Sequence, residues 1–168
     1  VIVAGVDPGL KGGIAILQPG CAPVLVPMPV ISGKKRDQFD LEGIRANLIH
    51  AEIVFVERLQ PMPGFGTRNF AFGRAGGVIE GVCAGAKIPC HAVYPKTWQK
   101  VMLAGIPGDD TKQRALTAAG MFFPGLALVP GGYRKPHSGI VDALLIAEYG
   151  RVFMGSADSE WPIRNERV

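Results

Sequence analysis

The stretch VIVAGVDPGLKGGIAIL, residues Val1 to Leu17, decides how the rest of the chain is read. Val1 to Val6 is small, apolar and partly β-branched, and it stops at Asp7-Pro8-Gly9. A second apolar run, Gly13 to Leu17, follows Lys11-Gly12, so the two read as a β-hairpin. Pro23 to Val30 reads as a third strand, which Pro27 and Pro29 place at a sheet edge because proline donates no ladder hydrogen bond. Asp40 is placed to cap a short helix with Leu41, Ile44, Leu48 and Ile49 on one side. Ile53 to Val56 is a buried-type strand that ends at Glu57. Turn chemistry makes QPMPGFGT (Gln60 to Thr67) a loop, and a small-residue helix is expected from about Asn69 to Ala86. Gly73, Gly76, Gly77, Gly81 and Gly85 weaken that helix, which points to close helix packing as compensation. Cys90 to Tyr94 supplies a fifth strand, Thr111 to Phe122 a helix and Gly139 to Phe153 a final amphipathic helix. Residues 1–154 thus read as one domain and 155–168 as a C-terminal tail.

The chain has 168 residues, 48% of them hydrophobic, enough for one sizeable core and too few for two ordinary domains. A net charge of +4 and a pI near 9.1 come with clustered bases, Lys34-Lys35-Arg36 and Arg134-Lys135, so a polyanionic partner fits the charge. Cys21, Cys83 and Cys90 have neither a CxxC spacing nor a Cys/His metal spacing, and read as reduced thiols. No run approaches the roughly 18 apolar residues needed to span a bilayer. The expectation is a soluble intracellular protein without membrane attachment: in the cytoplasm or nucleoid, in a host cytoplasm if viral, or in an organelle if a targeting segment has been removed.

Acidic residues at the ends of apolar strands are costly to desolvate unless a cation or hydrogen bonds compensate them. Asp7 and Glu57 both occupy such ends. Asp142 lies in the last helix beside Ala143-Leu144-Leu145-Ile146, where an inward carboxylate needs the same compensation. Three converging carboxylates are oxygen-only ligands suited to Mg²⁺, with Mn²⁺ as an alternative. A metal held in this way activates water for phosphodiester hydrolysis.

At this point the sequence resembles a known family. VDPGLKGGIAIL (Val6 to Leu17) looks like the opening hairpin of RuvC-type Holliday junction resolvases. VFVERLQPMPGFG (Val54 to Gly66) is similar to their strand ending in a catalytic glutamate, and HSGIVDALLIAEYG (His137 to Gly150) to their last helix. YPKTWQK (Tyr94 to Lys100) and DDTKQRALTAAGMFFP (Asp109 to Pro124) lie between, so the resemblance spans nearly the whole chain. FAFGRAGGVIEG (Phe70 to Gly81) resembles most the bacteriophage and chloroplast branch. The resemblance implies an RNase H-like α/β fold, a mixed five-stranded sheet flanked by helices. It also implies a homodimer that cuts four-way DNA junctions symmetrically, as a crossover junction endodeoxyribonuclease of DNA recombination and repair.

Carried onto this chain, the family pattern makes Asp7, Glu57 and Asp142 metal ligands. The fourth ligand expected before the last aspartate is not a carboxylate here, so either His137 supplies it or a second metal is held less well. Lys112 matches a lysine near the scissile phosphate, where it would neutralise transition-state charge. Arg58, Arg68, Arg74, Lys96 and Lys100 join Lys34, Lys35, Arg36, Arg134 and Lys135 as candidate phosphate contacts. Phe65 or Met62 would enter the junction centre. The glycine-bearing helix is the candidate subunit contact. Two other readings compete with the nuclease: a junction-binding protein that has lost cleavage, and an actin-like phosphotransferase, whose fold needs a second domain that this length does not supply.

Overall fold

In the computed structural model, residues 1–58, 60, 61 and 63–155 are described. The chain opens as the hairpin β1 (Val3–Asp7) and β2 (Gly13–Leu17), in antiparallel register from Val3 opposite Leu17 to Asp7 opposite Gly13. Strand β3 (Val24–Pro27) pairs antiparallel with β2 and forms the expected edge. It is shorter than the sequence implied. Val30–Ile31 leaves the sheet as β4 and pairs instead with β5 (Gln38–Phe39) in a separate two-stranded ribbon, which carries Lys34, Lys35 and Arg36 on its loop. The cause is Pro29, which cannot continue the ladder but whose carbonyl accepts from Asp40 N–H at 3.0 Å.

Asp40 caps α1 (Leu41–Leu48), its carboxylate accepting from Gly43 N–H at 3.0 Å. Only Ile44 and Leu48 of the expected apolar side are buried, while Leu41 and Ile49 face solvent. Strand β6 (Ile53–Glu57) then pairs parallel with β1, and β7 (Cys90–Val93) parallel with β6, giving the order β3-β2-β1-β6-β7. Between them, α2 (Gly66–Ala86) begins three residues before the expected start, with no side-chain cap. It ends in a Schellman turn, with Lys87 at φ 59° and Ile88 N–H donating to Cys83 O at 2.9 Å. After β7 come α3 (Pro95–Met102), a helix not expected from the sequence, α4 (Thr111–Phe122) and α5 (Ser138–Gly155).

Side chains alternate across the sheet with period two. Ala4, Val6, Val54 and Val56 face α1 and α2, through Ile44, Leu48, Ala75 and Ile79. Val3, Ile53 and Phe55 face α3, α4 and α5. Helix α5 is not the amphipathic helix expected: ten of its residues between Gly139 and Gly150 are buried. Glycine allows this close seating. A Cβ at Gly5 would stand 2.2 Å from Ala143 O and 2.3 Å from Ala147 N, and one at Gly150 would stand 2.4 Å from the Phe55 ring. Gly5→Ala must therefore push α5 off β1. The expected loss is about 3 kcal/mol in urea unfolding, the upper end for overpacking against backbone that cannot swing aside.

The glycines of α2 behave oppositely. Beside Gly73, Gly76, Gly77, Gly81 and Gly85 a Cβ would meet nothing within 4 Å among the described residues, so the expected close packing is not made by them.

Candidate active site

Period-two alternation also places the carboxylates. Asp7 follows Val3 and Gly5, and Glu57 follows Ile53 and Phe55, so both stand on the α5 face of the sheet. The β1–β6 ladder last pairs Val6 with Val56, which puts Asp7 and Glu57 side by side at its C-terminal edge. Helix α5 is brought to that edge by backbone contact. Gly12 and Gly139 form a bridge, and a Cβ on Gly139 would lie 2.5 Å from Gly12 Cα. At Gly13 a Cβ would lie 2.8 Å from the Ile140 side chain. The hairpin glycines therefore do more than turn the chain: they seat the start of α5, one turn before Asp142.

The three carboxyls feel one another. Burial pushes Asp142 up to about 7, the charges of Asp7 and Glu57 add to the rise, and Lys112 opposes it. Burial likewise lifts Glu57 to about 7, against the hydrogen bond from Trp98 and with a further rise from Asp7. Asp7 is raised by burial, and the Gly9 N–H (3.5 Å from Oδ1) and the His137 charge pull it back. Asp7, Glu57, Asp142, Lys112 and His137 are thus all drawn into one electrostatic cluster.

His137 sits immediately before α5. Its Nδ1 accepts from Ile140 N–H at 3.3 Å, and its ring meets Tyr133 edge-on at 4.8 Å. In that arrangement the neutral ring carries its proton on Nε2. Metal ligation through Nε2 requires the ring to give up this long bond.

The donor set fits a hard divalent cation. Its members are carboxylates raised by burial, with repulsion from neighbouring carboxylates adding to the rise at Glu57 and Asp142, and a bound cation relieves both costs. Among the described residues, no three His, Cys, Asp or Glu side chains already close around one point as a preformed cage. Mg²⁺ seldom needs one, since it keeps waters and takes one or two carboxylates plus substrate phosphates.

The three carboxylates line two separate hollows. One, of about 330 Å³, lies between the strand ends and α2 and is lined by Asp7, Glu57, Arg58, Phe72 and Glu80. The other, of about 400 Å³, holds Asp142, Lys112 and Lys135. A third, of about 260 Å³, gathers Lys96, Lys100 and Arg114 beside α3. A fourth, of about 500 Å³ and mostly apolar, lies at the opposite end of β1 around Val1, Leu17, Phe122 and Met154, and contains none of the expected site residues.

The remaining candidates are dispersed. Lys34, Lys35, Arg36, Arg134 and Lys135 are exposed loop residues. Phe65 is 45% exposed at the start of α2, and the Arg68 guanidinium stands 5.4 Å over its ring. Arg74 stands 6.0 Å over Phe39. Met62 falls outside the described residues, as does the expected tail beyond Gly155. Among the described residues, no helix is long and apolar enough to cross a membrane.

Two residues of this region were not singled out from sequence. Trp98, 1% exposed, donates its indole N–H to Glu57 Oε1 at 2.9 Å. Glu80 lines the Asp7–Glu57 hollow. The signal for Glu80 was its being the only acid in a 21-residue helix, and for Trp98 its place four residues after a Tyr-Pro helix start.

No protein-family model matches the chain, and no curated protein matches it by sequence. Solved structures do match. Thermus thermophilus RuvC in complex with a Holliday junction substrate superposes with a TM-score of 0.61 at 20% identity, covering 92% of this chain and 96% of that one. A second Thermus thermophilus RuvC structure gives 0.60 at 23% identity, covering 92% and 95%. The likeness is one of architecture: this chain has the α/β fold of those RuvC structures, an RNase H-like mixed five-stranded sheet flanked by helices.

Proposed function

We propose that the protein is a metal-dependent endonuclease that resolves four-way DNA junctions. The observation that carries this reading is that Asp7 and Glu57 end neighbouring parallel strands while the Gly12–Gly139 bridge brings the start of α5, and with it Asp142, to the same edge of the sheet. A protein that only bound DNA would gain nothing from placing buried anions beside a polyanion. The solved RuvC bound to a junction shares the fold and supports the choice of substrate.

In this reading Asp7, Glu57 and Asp142 hold Mg²⁺ or Mn²⁺, with His137 as the fourth contact once its Nδ1 releases Ile140. A divalent cation held by these residues would supply an activated water and charge neutralisation at the leaving oxygen. Lys112, close enough to lower the pKa of Asp142, offsets charge on the phosphate undergoing attack. Lys135 shares its groove, and Arg58 flanks the hollow on the other side. The bases on the β4–β5 loop and on α3 extend the phosphate-binding surface, with Arg68, Arg74 and Arg134. Phe65, exposed at the start of α2, is placed to stack on bases at the junction centre. The uncovered glycine face of α2 accepts the same face of a second copy, giving a twofold dimer with two sites for symmetric cuts.

The test is incubation with an end-labelled mobile junction and with an equal-length duplex, with and without Mg²⁺. Paired nicks at symmetric positions, only on the junction and only with metal, are expected. Tight junction binding without nicks under any divalent metal would favour a non-cleaving protein.

A further inference from the structure

We propose that Trp98 is a positioning residue for Glu57: its indole N–H fixes one carboxylate oxygen so that the other is presented toward Asp7 and Asp142. This rests on the nuclease reading and assigns a role to a residue that the reading does not use.

Indole N–H is a donor only, and a buried donor needs a partner. For Trp98 that partner is Glu57 Oε1, at 2.9 Å. The donor cannot wander. Trp98 is 1% exposed on α3 and packs in the same core as Met102, Leu103 and Phe55. Helix α3 is itself anchored, because the Arg114 side chain donates from Nε to Ile106 O at 3.1 Å and from its guanidinium to Leu103 O. Glu57 is different: it sits at a strand end beside an open hollow, on a side chain with three rotatable bonds. An ionised carboxylate accepting a fixed N–H loses that freedom before any cation arrives. Hydrogen-bond partners of metal-binding groups typically matter at the level of about 10–100-fold in metal affinity.

The experiment uses the full chain, labelled with ¹⁵N and titrated with Mg²⁺. The chain has two tryptophans, and Trp161→Phe identifies the Trp98 indole resonance. In the wild type that resonance should shift saturably with Mg²⁺, together with the backbone amide of Gly9, which contacts Asp7. Trp98→Phe should weaken Mg²⁺ binding, read at Gly9, by about 10–100-fold. A second variant carries 3-benzothienylalanine at position 98, which replaces only the N–H by sulfur and keeps the ring shape. It should weaken binding equally, which lost packing alone would not do. Wild-type Mg²⁺ affinity in the benzothienyl variant, or an indole resonance that ignores saturating Mg²⁺, overturns the positioning role and leaves the nuclease reading standing. If the wild type shows no saturable shift at Gly9 or Trp98 at all, the metal site fails and the role of Trp98 falls with it.

Discussion

Asp7→Asn is expected to reduce single-turnover cleavage of a four-way junction by about 10³-fold or more while leaving junction affinity within about twofold of wild type. The cleavage figure is at least the loss on removing one preorganised electrostatic contact from a reacting phosphate or carbonyl. The substitution keeps size and the contact to Gly9 but removes one of the anionic oxygens that would hold the cation. Affinity should survive because DNA binding depends on the bases at the surface, and loss of a buried anion can only lessen repulsion of phosphate. Asp142→Asn should behave alike. A gel-shift titration without metal, beside a cleavage time course with Mg²⁺, separates the two quantities. Cleavage by Asp7→Asn at the wild-type rate would remove Asp7 from the site.

The second large effect is a trade between stability and pH. Glu57 and Asp142 are both held at about 7, mainly by burial, against ordinary values of 4.5 and 3.8. A carboxyl whose pKa is raised on folding binds its proton more tightly in the folded state. Its contribution to stability is therefore present below about pH 4 and is lost as the pH climbs through about 7. Without metal, stability should fall across that window, and Mg²⁺ should restore it most strongly above pH 7, where both groups are ionised. Asp142→Asn removes a penalty of about 2 kcal/mol at pH 8, discounting the full shift for relaxation, and should raise Tm by roughly 5 °C. The same titration should make Mg²⁺ affinity climb with pH up to about 7 and then level off, since protons and metal compete for the same oxygens. A Tm of the metal-free protein that is flat from pH 4 to 8, in wild type and Asp142→Asn alike, would contradict the crowding of these carboxylates.

Much of this was legible because strand patterning is local. Apolar runs that stop at Asp7 and at Glu57 signal two strand ends without any tertiary information, and the Asp40 cap is read from one residue and its neighbours. What escaped was set by partners distant in sequence. Pro23 to Val30 looks continuous, and only the pairing of Val30 with Phe39 shows that it splits. Helix α5 could not be identified as a central helix from an apolar face, because nearly all its faces are apolar and periodicity carries no signal there. The glycines of α2 and of the hairpin look alike as letters. Gly12 and Gly13 carry the backbone of α5, whereas a Cβ on those of α2 would meet nothing among the described residues. Trp98 went unnoticed because its helix is short and its partner lies 41 residues away.

The most direct test of the account is a crystal soaked in Mn²⁺ and examined by anomalous scattering. A peak bounded by carboxylate oxygens of Asp7, Glu57 and Asp142 is the result expected. Mn²⁺ bound elsewhere on the protein, with those three side chains pointing apart around it, would contradict the claim that they form one metal-holding site.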